Sequence, residues 1–272
     1  MNILDKIVAQ KRIEIAATKA VKSQSALERE PLFSRPTLSL ADALRQADTP
    51  GIISEFKRQS PSKGIINGNV EPEMVTAGYV AAGAKGLSVL TDEPFFGGSF
   101  ADFGKARTAN PDTPMLRKDF MIDEYQLFEA KALGADVVLL IAACLSSQEV
   151  RFLAKKAHDL GLEVLLEVHN AEELAQSLCD EVDMVGVNNR NLKTFSTSVE
   201  TSIELAAQIP NHFVKISESG LKDAEMIVRL FEQGYRGFLI GETFMKTSDP
   251  AAALESLQKA LFKIIEQKPL IV

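Results

Sequence analysis

Four charged residues stand out because each one interrupts or ends an apolar stretch of the chain. Glu55 and Lys57 lie two residues apart, so an extended backbone would point an acid and a base to the same side. Lys118 and Glu167 end two further apolar stretches. Charged side chains are rarely buried unless they are paired or used. The four residues therefore predict an acid–base site, and a surface ion pair is the alternative for Glu55 with Lys57.

Polar residues and glycines that suit an anionic ligand follow several apolar stretches. A turn with cationic and hydroxyl side chains runs from Arg58 to Gly64, although such a turn is also typical of an ordinary loop. Hydrogen-bond donors cluster in Asn188–Leu192, and small residues occur in Ser217–Gly220 and Gly241–Thr243. Backbone N–H groups in turns of this kind bind phosphate. We therefore expect a phosphorylated ligand; the alternative is two turns that use glycine only for their shape.

The remaining residue types that often carry chemistry are few. No second histidine or cysteine lies at ligand spacing from His169, so we expect a loop or capping role for it and no metal site. Glu163 opens the apolar stretch that Glu167 ends, and we expect it to be structural. Cys144 and Cys179 are the only two cysteines, which indicates two idle thiols rather than a disulfide framework.

Eight short apolar stretches position these residues and alternate with helical segments. The predicted strands are Ile52–Phe56, Gly86–Leu90, Met115–Lys118, Asp136–Ile141, Glu163–Glu167, Asp183–Val187, Phe213–Ser217 and Gly237–Gly241. A helical segment follows each, which makes every connection a β-α-β crossover and the sheet parallel. The clearest helix follows the fourth strand, where apolar residues recur at i, i+3, i+4 and i+7 from Val150 and Ser146 with Glu149 predicts a capping box.

Eight units are the number that a (β/α)8 TIM barrel requires, and 272 residues suit that fold. A doubly wound open sheet is the competing α/β fold, but no Gly-x-Gly-x-x-Gly follows the first strand. Residues 1–45 precede the barrel and predict an N-terminal helical extension. The extension could close the bottom of the barrel or fold over the top beside the substrate. We expect one domain over residues 1–272.

Composition narrows the classes of partner. The formal net charge of −7 offers no basic surface to nucleic acid. No stretch approaches the roughly 20 apolar residues of a membrane span, and Asp5 and Lys6 interrupt any signal peptide. We expect a cytoplasmic protein that binds a small molecule, with no nucleic acid and no membrane as partner.

Taken in order, these segments resemble the indole-3-glycerol-phosphate synthase family over nearly the whole chain. The segments that carry the resemblance are Glu55-x-Lys57-x-x-Ser60-Pro61-Ser62-Lys63-Gly64, Ser88-Val89-Leu90-Thr91-Asp92, Lys118-Asp119-Phe120, Glu167-Val168-His169, Asn188-Asn189-Arg190, Ser217-Glu218-Ser219-Gly220 and Gly241-Glu242-Thr243. Gln59 and Asn191 differ from the residues common in the family at these positions, which are alanine and aspartate, and neither is a proposed catalytic group.

The resemblance implies a carboxy-lyase of tryptophan biosynthesis that uses no cofactor. Its substrate is 1-(2-carboxyphenylamino)-1-deoxyribulose 5-phosphate, and its products are indole-3-glycerol phosphate, carbon dioxide and water. The resemblance also places the N-terminal extension on the lid side of the barrel. Other enzymes of the tryptophan pathway are conceivable partners.

The resemblance also implies a role for each site residue. Lys118 is the general acid at the ketone during ring closure, and Lys57 holds the carboxylate before it leaves. Glu167 takes the ring proton in the later dehydration with a lysine as acid, and which lysine serves is left open. Orienting groups are Glu55, Asn188 and Ser219; substrate contacts are Ser60, Phe96 (with Phe95 as its alternative), Phe120, Arg190, Leu192 and Glu218; phosphate contacts are Gly220, Gly241 and Glu242.

Two other functions compete with this interpretation. A phosphosugar lyase would use Lys118 or Lys57 as the nucleophile that forms a Schiff base. A catalytically inactive barrel would only bind a phosphorylated ligand, but such a protein would be free to lose Lys118 or Glu167, and both are present.

Overall fold

The computed structural model describes residues 3–191 and 195–267, and its centre is a closed barrel of eight parallel strands. The strands are β1 Gly51–Phe56, β2 Gly86–Leu90, β3 Met115–Lys118, β4 Val137–Ile141, β5 Glu163–Val168, β6 Met184–Asn188, β7 Val214–Glu218 and β8 Tyr235–Ile240. Each strand pairs with the next in chain order, and β8 returns to β1. The predicted TIM barrel is confirmed, and each predicted strand overlaps an observed one.

Helices pack around the barrel, and three further helices precede its first strand. They are α1 Ile3–Val21, α2 Gln24–Leu27, α3 Leu40–Arg45, α4 Pro72–Ala81, α5 Glu93–Phe96, α6 Phe100–Ala109, α7 Tyr125–Leu133, α8 Ser147–Asp159, α9 Ala171–Ser177, α10 Glu200–Ala206, α11 Ala224–Glu232, α12 Glu242–Met245 and α13 Pro250–Gln267, with a 3₁₀ turn at Ala142–Cys144. The predicted capping box at Ser146 and Glu149 is present and begins α8. The turn after β1 folds into a short antiparallel hairpin of Gln59–Ser60 with Gly64–Ile65.

Alternation along the strands divides the core into two layers. The layer inside the barrel includes Ile53, Leu116, Leu165 and Ile216, which come from β1, β3, β5 and β7. The intervening residues point outward and pack beneath the helices. A residue two positions beyond each interior residue returns to the barrel interior, nearer the carboxyl end. This geometry fixes where the charged residues at the strand ends must point.

The N-terminal extension closes the bottom of the barrel with α3. Leu40 and Leu44 pack against Gly51 and Gly86, which begin β1 and β2, and against Gly237 within β8. An added Cβ would overlap a leucine methyl group at Gly51 and at Gly86, and at Gly237 it would meet Ile216 Cγ1 at 2.8 Å and Leu44 Cδ1 at 3.0 Å. The glycines are therefore required by the close approach of α3.

Glu163 secures the same helix from the barrel side. Its carboxylate accepts hydrogen bonds from the backbone N–H groups of Leu40 at 2.8 Å and Ala41 at 3.1 Å, and from the Ser39 hydroxyl. The expectation that Glu163 is structural is confirmed, because it caps the start of α3 at the end of the barrel opposite the predicted site.

The first helix of the extension lies at the other end of the barrel. Lys11 of α1 is only 5% exposed, and its Nζ lies 2.9 Å from Asp92 Oδ2 and 3.0 Å from Asp119 Oδ1. Burial by itself would lower the pKa of Lys11, but the charges of Asp119 and Asp92 outweigh burial and raise it. The extension therefore occupies both positions considered from the sequence, with α3 below and α1 above.

Two further observations concern the whole described chain. No helix within residues 3–191 and 195–267 is long and apolar enough to cross a membrane. Cys144 and Cys179 are both free thiols, and burial raises the pKa of Cys144 to about 12, so its thiol stays protonated near neutral pH.

Candidate active site

A cavity of about 480 Å³ opens at the carboxyl ends of the strands, within the size range of small-molecule sites. It brings together nearly every residue that the sequence predicted for the site. Those that line it are Glu55, Lys57, Ser60, Phe96, Lys118, Phe120, Glu167, Asn188, Arg190, Glu218, Ser219, Gly220, Gly241 and Glu242. Leu192 lies outside the described residues.

The floor of the cavity is a layer of four charged side chains. Glu55, Lys118, Glu167 and Glu218 come from β1, β3, β5 and β7, and each lies two residues beyond a member of the apolar interior layer. In a TIM barrel the four residues of one interior layer come from alternate strands. The charged floor is therefore the topmost layer of the barrel interior, in contact with the apolar layer below and with the cavity above.

Lys118 lies at the centre of this layer. Its Nζ is 2.9 Å from Glu167 Oε2 and 2.9 Å from Glu218 Oε2, so one ammonium group joins two buried carboxylates. Burial by itself would lower the pKa of Lys118, but the charges of Glu167, Glu218 and Glu55 outweigh burial and raise it. Lys118 is therefore an ammonium ion that holds its proton at neutral pH.

The two carboxylates that share Lys118 differ in their acidity. Burial would raise the pKa of Glu167, but the charges of Lys118 and His169 and hydrogen bonds from Lys118 and Asn188 lower it. Burial raises the pKa of Glu218, and the charge of Glu167 adds to that effect against the opposing charge of Lys118. Carboxylates whose surroundings separate their pKa values are typical of acid–base pairs. Glu167 is thus the ionised member, and Glu218 is the one that takes up a proton more readily.

Glu55 and Lys57 form a second ion pair at the edge of the floor. Lys57 Nζ donates to Glu55 Oε1 at 2.5 Å, so the two side chains point to the same side as the sequence predicted. Glu55 is buried, which makes the surface ion pair considered from the sequence wrong. Gly241 lies against it, and a Cβ there would approach Glu55 Cβ and Cδ to 3.0 Å. The glycine therefore leaves the space that Glu55 occupies.

Asn188 ties the floor to the loop that follows β6. Its Nδ2 donates to Glu167 Oε1 at 3.0 Å, and its Oδ1 accepts from the backbone N–H of Arg190 at 3.0 Å. The Arg190 guanidinium lies 3.4 Å from Ser62 Oγ and 3.5 Å from Glu242 Oε2. One amide thus orients the ionised carboxylate and the start of a cationic loop together.

The turns after β7 and β8 present backbone to the cavity. Ser219 and Gly220 have φ angles of 66° and 72°, and a left-handed serine is a conformation that a protein retains mainly at functional sites. Gly241 precedes α12, so the N–H groups of Glu242 and Thr243 lie in the first turn of a helix, where they have no partner within the helix. This arrangement suits an anion.

An apolar wall stands opposite these turns. Phe96 and Phe120 pack with ring centroids 5.9 Å apart, and Ile3, Leu4 and Ile7 of α1 line the cavity beside them. Of the adjacent pair Phe95 and Phe96, it is Phe96 that lines the cavity. The wall suits a planar aromatic group.

His169 was assigned only a loop or capping role from the sequence, and the structure adds a contact. The residue that caps α9 is Asn170, and the backbone N–H of His169 donates to Glu173 Oε2 at 2.8 Å. Its Nε2, however, lies 3.4 Å from Glu167 Oε1. The signal that could have found it is its spacing, because a residue two positions beyond Glu167 returns toward the same side of the strand.

The described residues contain no group of three or more His, Cys, Asp or Glu side chains that could hold a metal ion. The polar groups of the site include ammonium, guanidinium, carboxylate, amide and hydroxyl groups together with backbone N–H. Such a set can bind anions and transfer protons.

Comparison with solved structures concerns the fold. The 3-hexulose-6-phosphate synthase from Salmonella typhimurium has a TM-score of 0.62 at 12% identity and covers 78% of this chain and 99% of its own. Thiamine phosphate pyrophosphorylase from Pyrococcus furiosus has a TM-score of 0.59 at 15% identity, over 84% of this chain and 100% of its own. At these identities the likeness supports the barrel fold alone.

Comparison with known sequences identifies the family. The family model described as Indole-3-glycerol phosphate synthase matches residues 4–257. An indole-3-glycerol phosphate synthase of Bacteroides thetaiotaomicron is 52% identical over 262 residues, which cover 96% of this chain and 99% of that protein. One from Bordetella pertussis is 41% identical over 259 residues, or 94% and 98%. The resemblance noted in the sequence is confirmed: this chain belongs to the indole-3-glycerol phosphate synthases, decarboxylating lyases of tryptophan biosynthesis.

Proposed function

We propose that Lys118 and Glu167 are the central acid and base with which this chain forms an indole ring from 1-(2-carboxyphenylamino)-1-deoxyribulose 5-phosphate. The observation that carries this proposal is the position of Lys118 Nζ, 2.9 Å from both Glu167 Oε2 and Glu218 Oε2 on the cavity floor. A protonated amine and an ionised carboxylate side by side provide a proton donor and a proton acceptor within reach of one ligand.

In ring closure, the ring carbon that bears the carboxylate attacks the ketone of the substrate. Lys118 donates its proton to the ketone oxygen, which becomes a hydroxyl group. Lys57 pairs with the substrate carboxylate until that group leaves as carbon dioxide. The Lys57 to Glu55 pair supports this assignment, because an ammonium at the edge of the floor can exchange one carboxylate for another.

Dehydration then removes the hydroxyl group and one ring proton as water. Glu167 takes the proton, and we assign the acid of this step to Lys57. Lys118 is in direct contact with Glu167, whereas Lys57 belongs to a separate ion pair with Glu55. Loss of carbon dioxide also frees Lys57 from its anionic partner. General acid–base steps of this kind contribute roughly 10²–10⁴-fold each.

The rest of the cavity fits the two ends of the substrate. The aromatic ring would pack against Phe96 and Phe120, beside α1. The phosphate would bind the backbone at Ser219–Gly220 and at Gly241–Glu242, with Arg190 beside it. Glu242 contributes its N–H group in this proposal, because its carboxylate is directed at Arg190. Ser60 and Asn188 would orient the middle of the substrate.

A Schiff-base lyase is disfavoured by the state of Lys118. A nucleophilic lysine must be neutral when it attacks a carbonyl group. The three carboxylates around Lys118 raise its pKa and keep it protonated, despite burial. Borohydride reduction in the presence of substrate tests this directly, and a stable lysine adduct would contradict the acid–base proposal.

The main test uses the absence of tryptophan from the chain. Product formation gives an indole emission that the protein itself lacks, so activity can be followed by fluorescence. We expect wild-type protein to produce the signal and Lys118→Met to lose it by at least about 10²-fold. Lys105→Met is the matched control, since Lys105 is an exposed lysine paired with Glu71. Folded wild-type protein that gives no signal would refute the proposal.

Two expectations from composition stay predictions. They are the location in the cytoplasm and the restriction of partners to small molecules. The phosphorylated substrate proposed here agrees with the anion-binding turns of the cavity.

A further inference from the structure

His169 lies between two carboxylates, one of which belongs to the active site. Its Nε2 is 3.4 Å from Glu167 Oε1, and its Nδ1 is 3.1 Å from Glu173 Oε2. The side chain is only 9% exposed. Lys118 binds the other oxygen of Glu167. The Glu167 carboxylate therefore has a lysine on one oxygen and Asn188 on the other, and the buried His169 Nε2 lies close to that second oxygen without a hydrogen-bond partner among the described residues.

The neutral and charged forms of His169 would act differently on Glu167. A neutral imidazole that donates through Nδ1 to Glu173 turns the lone pair of Nε2 toward Glu167 Oε1, and two acceptors then face each other. An imidazolium donates through Nδ1 to Glu173 and places a positively charged N–H group, on Nε2, beside Glu167 Oε1. Only the charged form makes both contacts attractive.

The surroundings of His169 favour the charged form. Glu167 on β5, Glu173 on α9 and Glu218 on β7 surround it, and Lys118 on β3 pairs with Glu167 and Glu218. Cys144 of the 3₁₀ turn packs nearby as a protonated thiol. Burial would lower the pKa of His169, but the contacts with Glu173 and Glu167 outweigh burial and raise it.

We propose that His169 is a positioning residue that acts as an imidazolium, anchored by Glu173, and fixes the Glu167 carboxylate in its ionised, proton-accepting orientation. The inference rests on the proposed role of Glu167 as the base. The proton that Glu167 removes from the substrate does not pass to His169, which already carries both of its protons. His169 acts through Glu167 and needs no contact with the substrate.

The first experiment measures the charge of His169 directly by NMR titration of the imidazole nitrogens. The chain has three histidines, at positions 158, 169 and 212, so the signals can be assigned by substitution. We expect the pKa of His169 to lie above the ordinary value, and both Glu173→Gln and Glu167→Gln to lower it. A neutral His169 at the pH of catalysis would overturn the proposal, whether or not the protein forms indole.

The second experiment compares pH profiles of kcat. Loss of the His169 proton should give the wild type an alkaline limb at the pKa that NMR assigns to His169, and Glu173→Gln should move that limb to lower pH. His169→Gln removes the titrating charge, so the limb should disappear.

His169→Leu removes the positive charge beside Glu167, and kcat should fall about tenfold, an effect of the size of losing one contact with a charged group. His158→Gln is the matched control, because His158 contacts a single carboxylate, Asp183 at 2.9 Å, away from the cavity. An alkaline limb that persists unchanged in His169→Gln would refute the positioning role.

Discussion

Gly186 of β6 has no side chain of its own, but we expect it to control activity because it leaves space for the Glu218 carboxylate. A Cβ at position 186 would overlap Glu218 Oε1 and approach Leu165 Cδ1 to 3.1 Å. The Glu218 carboxylate is the end of a flexible side chain, so it is the group that moves in Gly186→Ala. Its Oε2 is 2.9 Å from Lys118 Nζ, and displacement would break that contact.

Gly186→Ala should lower stability and activity to different extents. Adding one methyl group to a tightly packed interior costs about 1–3 kcal/mol. Misplacing a group of the active site by about 1 Å can reduce turnover by about 10²-fold. We therefore expect Gly186→Ala to remain folded, with a modestly lower Tm, while kcat falls by about 10²-fold.

The assay is indole fluorescence together with thermal unfolding, and α6 provides the matched control. Gly104 has no atom within 4 Å of an added Cβ. Gly104→Ala should leave kcat unchanged and stabilise the protein by about 0.5–1 kcal/mol, since glycine is unfavourable inside a helix. The comparison separates the effect of a methyl group from the effect of its position.

A double-mutant cycle decides whether Glu218 transmits the effect. If the methyl group acts by displacing Glu218, Gly186→Ala should cause no further loss of kcat in a Glu218→Ala background. An equal loss in both backgrounds would refute the mechanism, and full activity of the single variant would refute the predicted overlap.

Three further predictions concern stability. Lys11→Met leaves two buried aspartates without their shared cation and should cost about 3–5 kcal/mol in urea unfolding. The pKa of Glu167 is lowered in the folded state, so its pairing with Lys118 stabilises the fold above the unfolded pKa. This stabilisation is lost as the pH falls from 4.5 to about 2. Glu167→Gln should therefore flatten the pH dependence of the free energy of unfolding, measured with urea, in that window. Glu163→Gln should lower stability by about 1–3 kcal/mol while kcat, measured by fluorescence, stays at the wild-type value.

The barrel and most of its site could be predicted because both follow from local alternation. A residue two positions beyond an interior leucine or isoleucine must return to the interior, and the carboxyl ends of parallel strands meet at one face. Glu55, Lys118 and Glu167 satisfy both conditions. The turns proposed to bind phosphate were visible for a similar reason, since small residues after β7 and β8 mark the usual anion site of this fold.

What the sequence could not supply depends on contacts between distant segments. The apolar stripe of α1 would suit a helix over the top of the barrel as well as one that closes its bottom. What holds α1 at the top is the contact of Lys11 with Asp92 and Asp119, which lie far along the chain. Likewise, the contact of His169 with Glu167 depends on how the chain turns after β5 and on Glu173 of α9. Spacing alone cannot determine either.

The paired state of the cations explains how a chain with a net charge of −7 accepts a substrate with a carboxylate and a phosphate. Lys57 is held by Glu55, and Arg190 is held by Glu242. Because an unpaired charge in a partly buried position is costly, these carboxylates keep each cation in place before the substrate arrives. An anionic group that takes over the cation then replaces one ion pair by another. The local field, rather than the net charge, governs binding.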